Sequence, residues 1–388
     1  MSFELSQRLS ALPPYLFKEL DRLRDEARAR GADIIDLGVG DPDRPTPPPI
    51  IAALKEAADD PANHQYPLYS GMDAFREGVA RWYQRRHGVQ LKATTEICSL
   101  IGSKEGIAHF PLAFVNPGDV VLVPEPAYPV YNSGTLFAGG VPYFLPLREA
   151  NGFLPDFRSV DEPVLKKAKI IWVNYPNNPT GATATVEFYA DLLDWARKWN
   201  IIVASDAAYS EMTYDGRPHP SILELPGGRE QAIEFHSLSK TYNMTGWRLG
   251  WAAGNESLVR GLGQVKNNTD SGVFQAVQAA GLAALEGDQE PVRAMGRLYS
   301  QRRAVLSRGL TAAGLSIFPG TATFYVWVKV PTGLKSADFS ARLLNEAGVV
   351  ATPGNGFGPS GEGYARFALV QEVDRLNEAA NRLAGLKF

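Results

Sequence analysis

A lysine lies among hydroxyl side chains in the stretch HSLSKTYNMTGWRLGW, which spans residues 236–251. Ser237 and Ser239 precede Lys240, and Arg248 follows it in the same stretch. A partly neutral lysine can form a Schiff base with an aldehyde, and serine hydroxyls together with a guanidinium suit a phosphate group. An exposed lysine in a polar loop explains the same letters, so the interpretation depends on the rest of the chain.

Five further groups lie at the ends of predicted strands or just after them, and ligands of open α/β sheets bind at such places. Asp206, in SDAAYSE, could pair with the protonated ring nitrogen of pyridoxal phosphate (PLP), and Tyr209 could reach the cofactor's phenolic oxygen. Asn178, in NYPNNPTG, could donate to the same oxygen. A helix cap at Asp206 and a plain turn at Asn178 remain open alternatives.

The other three groups are IGSKEG, EPAYPVY and YARFALV. In the first, Ser103 and the backbone of Ser103 and Lys104 at a helix start would hold a phosphate, although a simple helix cap by Ser103 fits equally well. In the second, Tyr128 could stack on a planar ring or pack in the core. In the third, Arg366 could bind a carboxylate in a cleft or lie solvated on an edge strand.

The bulk composition excludes several classes of function. The chain has 388 residues, 45% of them hydrophobic and 21% charged, and its net charge is −3. This balance does not indicate nucleic acid or an anionic membrane as a partner, and the sequence has no apolar run of about 18 residues and no signal-peptide core. The single cysteine, Cys98, cannot form an internal disulfide, and the five histidines lack metal-ligand spacing. We therefore predict a cytoplasmic protein without a metal site.

Short apolar strands alternate with amphipathic helices from about residue 96 onward. Helices such as 187–199 fall between some of these strands. Continuous apolar runs that alternate with helices predict an α/β fold with a mostly parallel sheet covered on both faces. The predicted strands are EICSLIG, DVVLVPEPAY, VPYFLPL, IIWVNYP, IIVASDAAY, AIEFHSLS and RLGWAAG.

The C-terminal part of the chain has a different texture. A long helical stretch leads to the short strands FYVWVKV, GVVATPG and YARFALV, with helices predicted at 336–347 and 373–385. This change predicts a second, smaller α+β domain. We expect a large domain over residues 45–285 and a small domain built from 1–44 and 286–388.

The ordered series GSKEG, Tyr128, NNPTG, SDAAY, SLSK and GWRLG resembles the cofactor-binding set of the fold-type I PLP-dependent aminotransferases, over nearly the full chain. The resemblance implies the PLP-dependent transferase fold of type I, with a mostly parallel seven-stranded sheet in the large domain. It implies that Lys240 carries PLP as a Schiff base and that Asp206 and Tyr209 assist it. The phosphate would be held by Ser103, Lys104, Ser237, Ser239 and Arg248, while Tyr128 and Asn178 contact the ring.

The resemblance also implies a homodimer with shared active sites. Tyr66 precedes Gly71 in the family's Y-x-x-x-x-G pattern and would reach the phosphate of the partner subunit's cofactor, with Tyr69 as its competitor. Arg366 would clamp the α-carboxylate of the substrate. The remaining residues of the implied substrate pocket are Tyr15, Gly40, Lys104, Tyr128, Asn178 and Asn268.

Within the family, five segments resemble the branch that transaminates LL-diaminopimelate with 2-oxoglutarate in lysine biosynthesis. They are LPPYLF, LGVGDPD, GSKEGIAHFPLAFVNPGD, HSLSKTYNMTGWRLG and NNTDSGVFQAVQ. The alternatives are a broader aspartate, alanine or aromatic aminotransferase, a PLP-dependent C–S lyase, and a PLP-binding regulator. The regulator is disfavoured because only about 30 residues precede the core and they contain no basic recognition helix.

Overall fold

The computed structural model describes residues 3–12, 22, 24–26 and 28–386. The strands, numbered in chain order, are β1 (Ile35–Asp36), β2 (Ile97–Leu100), β3 (Val120–Glu125), β4 (Val141–Pro146), β5 (Ala168–Asn174), β6 (Ile202–Asp206), β7 (Ala232–Ser237), β8 (Gly250–Gly254), β9 (Tyr325–Lys329), β10 (Val349–Val350), β11 (Thr352–Pro353) and β12 (Tyr364–Ala368). The helices span Gln7–Ser10, Pro48–Asp59, Asp73–His87, Ser103–Phe114, Val130–Phe137, Glu162–Leu165, Val186–Trp199, Gly228–Gln231, Leu238–Thr241, Glu256–Thr269, Gln275–Glu286, Glu290–Ala312, Ser336–Ala347 and Val373–Ala384. Within these described residues, no helix combines the length and the apolar character needed to span a membrane.

Strands β2 to β8 form one seven-stranded sheet with the order β2-β8-β7-β6-β5-β3-β4. β8 runs antiparallel to both of its neighbours, β2 and β7, and the other pairs are parallel. The mostly parallel seven-stranded sheet is therefore confirmed. The direction of β8 was not predicted, because a buried strand reads as the same continuous apolar run whichever way it pairs.

The central strands of this sheet are buried on both faces. Successive side chains along a strand point to opposite sides and therefore enter different cores. On β3, Leu122 packs in one apolar core and Val121 in another. Side chains of the helix Val186–Trp199 contribute to the first core, and those of Ser103–Phe114 to the second. Helices therefore cover the sheet on both sides, as the alternation of strands and helices predicted.

A smaller antiparallel sheet lies toward the C-terminus, with the order β11-β12-β9. The predicted strand GVVATPG forms two short strands separated by Ala351. The N-terminal part of the chain joins this region, because β1 pairs in parallel with β10 and the Leu37 carbonyl accepts the Ala368 N–H at 2.6 Å. The helices Glu290–Ala312 and Val373–Ala384 share a third apolar core with the small sheet.

Several strand ends meet at one edge of the seven-stranded sheet. β5 ends at Asn174 and β6 ends at Asp206, and the register pairs these two residues. β7 ends at Ser237, opposite Gly250 at the start of β8, and Leu100 at the end of β2 also pairs with Gly250. The segments that follow or precede these ends therefore converge in space, although they are far apart in sequence.

Candidate active site

A cavity of about 570 Å³ opens at this edge of the sheet, and β9 and β12 of the smaller sheet contribute to its lining. Cationic, carboxylate, amide, hydroxyl and aromatic side chains all face it. The lining residues are Arg24, Val39, Gly40, Ser103, Lys104, Tyr128, Asn174, Asn178, Asp206, Ala208, Tyr209, Ser237, Ser239, Lys240, Thr245, Arg248, Tyr325, Phe357 and Arg366.

Most of the residues singled out in the sequence line this cavity. They are Gly40, Ser103, Lys104, Tyr128, Asn178, Asp206, Tyr209, Ser237, Ser239, Lys240, Arg248 and Arg366. Three others do not line it: Tyr66 is 91% exposed, Tyr69 is 37% exposed, and the exposed Asn268 donates to the Gln264 carbonyl of its own helix at 2.8 Å. Tyr15 lies outside the described residues.

Lys240 lies in the short helix Leu238–Thr241, directly after β7. Its Nζ donates to the Gly40 carbonyl oxygen at 3.1 Å and lies 5.6 Å from the centre of the Phe324 ring. Burial lowers the pKa of Lys240 to about 8, and the positive charge of Arg366 acts in the same direction. A sizeable fraction of the amine is therefore neutral near physiological pH and can attack a carbonyl carbon or accept a proton.

The helix Ser103–Phe114 begins at the cavity without a capping side chain, because its N-cap residue is Gly102. Gly102 has a φ of +73°, and a Cβ atom there would come within 2.3 Å of the Nη2 atom of Arg248. The alternative in which Ser103 caps the helix is therefore wrong. The glycine instead lets a guanidinium approach a helix start whose N–H groups have no capping side chain, and such a combination of donors suits a phosphate group.

Arg248 and two serines complete this group of donors. Arg248 has a φ of +56°, in the left-handed region that few non-glycine residues adopt, and its Nη1 donates to the Thr245 carbonyl at 2.8 Å. The Ser237 hydroxyl accepts the Ser239 N–H at 3.2 Å and caps the helix that carries the lysine. The residues before and after the lysine thus bring hydroxyl groups and a guanidinium to the same cavity, a set of donors that could hold an anion.

Asp206 is a buried carboxylate at the end of β6. Its Oδ2 accepts the Tyr131 hydroxyl at 2.7 Å, and its Oδ1 accepts the Ala208 N–H at 3.2 Å. Burial raises the pKa of Asp206 to about 6, although the hydrogen bond from Tyr131 opposes this rise. In the described chain no helix begins directly after Asp206, so it does not serve as the helix cap that was the alternative interpretation. A carboxylate in this setting favours a ligand that brings a positive charge.

Arg366 is 2% exposed and faces the cavity, so the alternative of a solvated edge residue is wrong. Its Nη1 donates to the Asn178 Oδ1 at 2.9 Å, and its Nη2 donates to the Gly38 carbonyl at 2.7 Å. The guanidinium carbon lies 4.2 Å from the centre of the Tyr325 ring and 4.7 Å from that of Phe357. A buried cation whose hydrogen-bond partners are neutral oxygens suits a carboxylate ligand.

Several residues of this region were not singled out in the sequence, among them Asn174, Tyr325 and Phe357 of the cavity lining and Tyr131, which donates to Asp206. Asn174 and Tyr131 lie inside the motifs NYPNNPTG and EPAYPVY, where neighbouring residues received the attention. Tyr325 shares a sheet face with Arg366, but only the register of β9 against β12 reveals this. Phe357 comes from a glycine-rich turn that carries no local signal for a binding site.

One cluster of potential metal ligands occurs in the described part of the chain. Ligand atoms of Glu105, His109 and Asp270 lie within 4.8 Å of one another. The buried ammonium group of Lys266 donates to Glu105 at 3.0 Å and to Asp270 at 3.1 Å. A cation of the protein already neutralises these carboxylates, and the cluster is an ion-pair network between the helices that flank the sheet.

Comparison with known proteins agrees with this geometry. The family described as aminotransferase class I and II matches residues 32–383. The LL-diaminopimelate aminotransferase of Aquifex aeolicus (strain VF5) is 58% identical over 386 residues, which cover 100% of both chains. That of Syntrophobacter fumaroxidans (strain DSM 10017 / MPOB) is 57% identical over 388 residues, again 100% of both. The solved structure of a probable N-succinyldiaminopimelate aminotransferase from Thermus thermophilus has a TM-score of 0.91 and 41% identity, over 95% of this chain and 99% of that one.

Proposed function

The chain belongs to the aminotransferase class I and II family, and we propose that it transfers the amino group of LL-diaminopimelate to 2-oxoglutarate with the help of PLP. The products would be tetrahydrodipicolinate and glutamate, and the reaction would serve lysine biosynthesis. The observation that carries this proposal is the 58% identity to the LL-diaminopimelate aminotransferase of Aquifex aeolicus over the whole length of both chains. The lysine of lowered pKa in the cavity supports the transaminase chemistry.

The donors around the cavity fit PLP. The groups that would hold its phosphate are the backbone N–H groups at Ser103 and Lys104 and the side chains of Ser237, Ser239 and Arg248. Asp206 would pair with the ring nitrogen, Tyr128 would stack on the ring, and Asn178 with Tyr209 would donate to the phenolic oxygen. When bound at Lys240, PLP supplies an electron sink for negative charge that develops at the Cα atom of an amino acid.

Lys240 is the proposed general base of the reaction. When the amino donor is bound in place of the Lys240 amine, the freed amine of Lys240 accepts the proton from the donor's Cα. A pKa of about 8 allows Lys240 to release that proton again. Arg366 would bind the α-carboxylate through two parallel hydrogen bonds and so orient the Cα–H bond toward Lys240. The two half-reactions would follow a ping-pong order, in which the first product leaves before the 2-oxo acid binds.

We also propose two domains, over residues 45–285 and over 1–44 with 286–388. The separate apolar cores of the two sheets support this division. The proposed cofactor site would draw Lys240 and Asp206 from the large domain and Arg366 from the small one. Substrate binding at Arg366 would therefore link the two domains.

A homodimer with shared active sites is part of the proposal. Tyr66, Leu68 and Phe274 are 91%, 61% and 45% exposed. The segments that carry them lie side by side, because the Gln275 side chain donates to the carbonyls of Ala62 and Gln65. Adjacent exposed apolar side chains are typical of a surface that a partner covers. In such a dimer, Tyr66 or Tyr69 would extend from this surface to the cofactor phosphate of the partner subunit.

A panel of amino donors tests the proposed substrate. Purified protein loaded with PLP is incubated with 2-oxoglutarate and either LL-diaminopimelate, aspartate, alanine or an aromatic amino acid, and glutamate formation is followed. We expect turnover with LL-diaminopimelate to exceed that with the other donors. Faster turnover with one of the others would replace the substrate assignment, and release of pyruvate from cystathionine without a 2-oxo acid would indicate a C–S lyase instead.

Tyr131→Phe should shift the pH dependence of the reaction. Burial raises the pKa of Asp206 to about 6, and the hydrogen bond from Tyr131 opposes this rise. The substitution removes that hydrogen bond. The carboxylate form is the one that would pair with the ring nitrogen, so activity is present above the pKa that Asp206 has in the PLP-loaded protein and lost below it. We expect the acid side of the kcat/KM profile to move upward by about one pH unit.

A second buried tyrosine provides the control for this shift. The Tyr175 hydroxyl donates to the Phe153 carbonyl at 2.7 Å and does not line the cavity. Tyr175→Phe therefore loses a comparable hydrogen bond without affecting Asp206. An acid limb that stays in place in Tyr131→Phe, or that moves equally in Tyr175→Phe, would contradict the assigned role of Tyr131.

A further inference from the structure

Tyr325, the first residue of β9, contacts two parts of the proposed site. Its side chain is buried, lines the cavity and carries a hydroxyl oxygen 3.0 Å from that of Tyr209. The centre of its ring lies 4.2 Å from the guanidinium carbon of Arg366. One side chain therefore touches both the residue proposed to reach the cofactor's phenolic oxygen and the residue proposed to bind the substrate carboxylate.

We propose that Tyr325 is a positioning residue with two separable functions: its ring holds the Arg366 guanidinium in place for the substrate carboxylate, and its hydroxyl orients the hydroxyl of Tyr209. This inference rests on the proposed aminotransferase function. It assigns no contact with the reacting atoms to Tyr325 itself, which acts through its two neighbours.

The ring function follows from how Arg366 is held. Hydrogen bonds to Asn178 and Gly38 fix the guanidinium within its plane, and both acceptors are neutral. The rings of Tyr325 and Phe357 also lie against the guanidinium, with their centres 4.2 and 4.7 Å from its carbon atom. Aromatic faces attract a cation, and they also block rotation of the group out of its plane. The ring of Tyr325 thus keeps a buried, unneutralised cation in the orientation that a carboxylate needs.

The hydroxyl function follows from the distance between the two phenols. A hydroxyl can donate one hydrogen bond while it accepts another. If Tyr325 donates to Tyr209, the proton of Tyr209 is directed to another acceptor, and hydrogen bonds in such a chain strengthen one another. Burial raises the pKa of both phenols, so both remain protonated donors at the pH of catalysis.

The position of Tyr325 is fixed by the N-terminal segment. A Cβ atom at Gly40 would lie 2.2 Å from the Tyr325 hydroxyl oxygen, so only glycine leaves room for the ring. The carbonyl of Gly40 in turn accepts the hydrogen bond from Lys240. The ring therefore has little freedom to move away from Arg366 or from Tyr209.

Two substitutions separate the two functions. Tyr325→Phe keeps the ring and removes the hydroxyl, whereas Tyr325→Leu removes both. The first readout is the affinity of the PLP-loaded protein for glutarate, a non-reacting dicarboxylate, by isothermal titration calorimetry. We expect Tyr325→Phe to change the Kd by no more than about twofold and Tyr325→Leu to raise it at least about tenfold.

The second readout is the pH titration of the visible absorption of PLP bound at Lys240. A hydrogen bond from Tyr209 to the cofactor's phenolic oxygen would stabilise the negative charge on that oxygen and so favour the deprotonated form of the bound cofactor. Weaker donation from Tyr209 should therefore raise the midpoint of this titration by about half a pH unit in both variants. Tyr175→Phe is the matched control and should leave both readouts unchanged. Thermal unfolding of each variant verifies that it is folded.

Distinct results would overturn the two functions of Tyr325. Equal weakening of glutarate binding in Tyr325→Phe and Tyr325→Leu would refute the ring function, and an unchanged titration midpoint in Tyr325→Phe would refute the hydroxyl function. A wild-type protein that develops no visible absorption with PLP would instead overturn the proposed cofactor and, with it, this role of Tyr325.

Discussion

Replacing Lys240 with alanine is expected to reduce transamination between LL-diaminopimelate and 2-oxoglutarate by at least about 10³-fold in kcat. One side chain would supply both the amine that holds the cofactor and the base that moves the Cα proton, so both functions are lost together. The other lysine of the cavity, Lys104, has its Nζ 5.9 Å from the centre of the Tyr128 ring. The proposal assigns only its backbone N–H group to the cofactor phosphate, so we expect its amine not to replace that of Lys240.

The loss in Lys240→Ala is measured by glutamate formation and by the visible absorption of the PLP-treated protein, which should disappear. Lys167→Ala is the control, because Lys167 is exposed and does not line the cavity. The control should retain both activity and absorption. If Lys240→Ala kept either of them at the wild-type level, another residue would have to bind the cofactor.

Arg366→Gln is expected to lower kcat/KM for LL-diaminopimelate by roughly 10²- to 10³-fold, chiefly through a higher KM. Glutamine is polar and can still bond to Asn178 or Gly38, so the pocket keeps a hydrogen-bonded side chain. It has no positive charge and no planar fork of donors, and the α-carboxylate would then be buried without a counterion. Initial rates over a range of amino donor concentrations give KM and kcat separately.

Arg308→Gln is the matched control for this substitution. Arg308 is exposed on the long helix Glu290–Ala312 and does not line the cavity, so its kinetic constants should equal those of the wild type. A change of less than threefold in kcat/KM for Arg366→Gln would show that another group binds the α-carboxylate. A fall in kcat with an unchanged KM would assign Arg366 to the chemical step instead of to binding.

The parts of this protein that the sequence predicts best are those encoded in contiguous residues. Each strand of the main sheet is built on a short, mainly apolar run. Asp206 ends one of these strands and Asn178 closely follows another, so their convergence follows from the parallel topology. Lys240 could be singled out because its hydroxyl neighbours and Arg248 occur in the same short stretch. Local chemistry and a general rule of topology were sufficient for these residues.

The remaining features depend on distances that the sequence does not encode. The contact of Tyr325 with Arg366 requires the register of two strands that are separated by a helix and several turns, and the bond from Tyr131 to Asp206 requires two elements to pack face to face. Tyr66 and Tyr69, which do not line the chain's own cavity, were assigned from the resemblance. Their expected role requires a second subunit, so no pattern within one chain can place them.

The pairing of β1 with β10 has a consequence for how the protein is made. Strands β2 to β8 are contiguous in the chain and can pair as soon as they leave the ribosome, whereas β1 must wait for β10 and Leu37 must wait for Ala368. Closing so long a loop is slow and entropically costly. The carbonyls of Gly38 and Gly40 therefore reach Arg366 and Lys240 only after β10 and β12 have been synthesised. A nascent chain would remain catalytically inert until these two strands have been added, even though most of its main sheet is already folded.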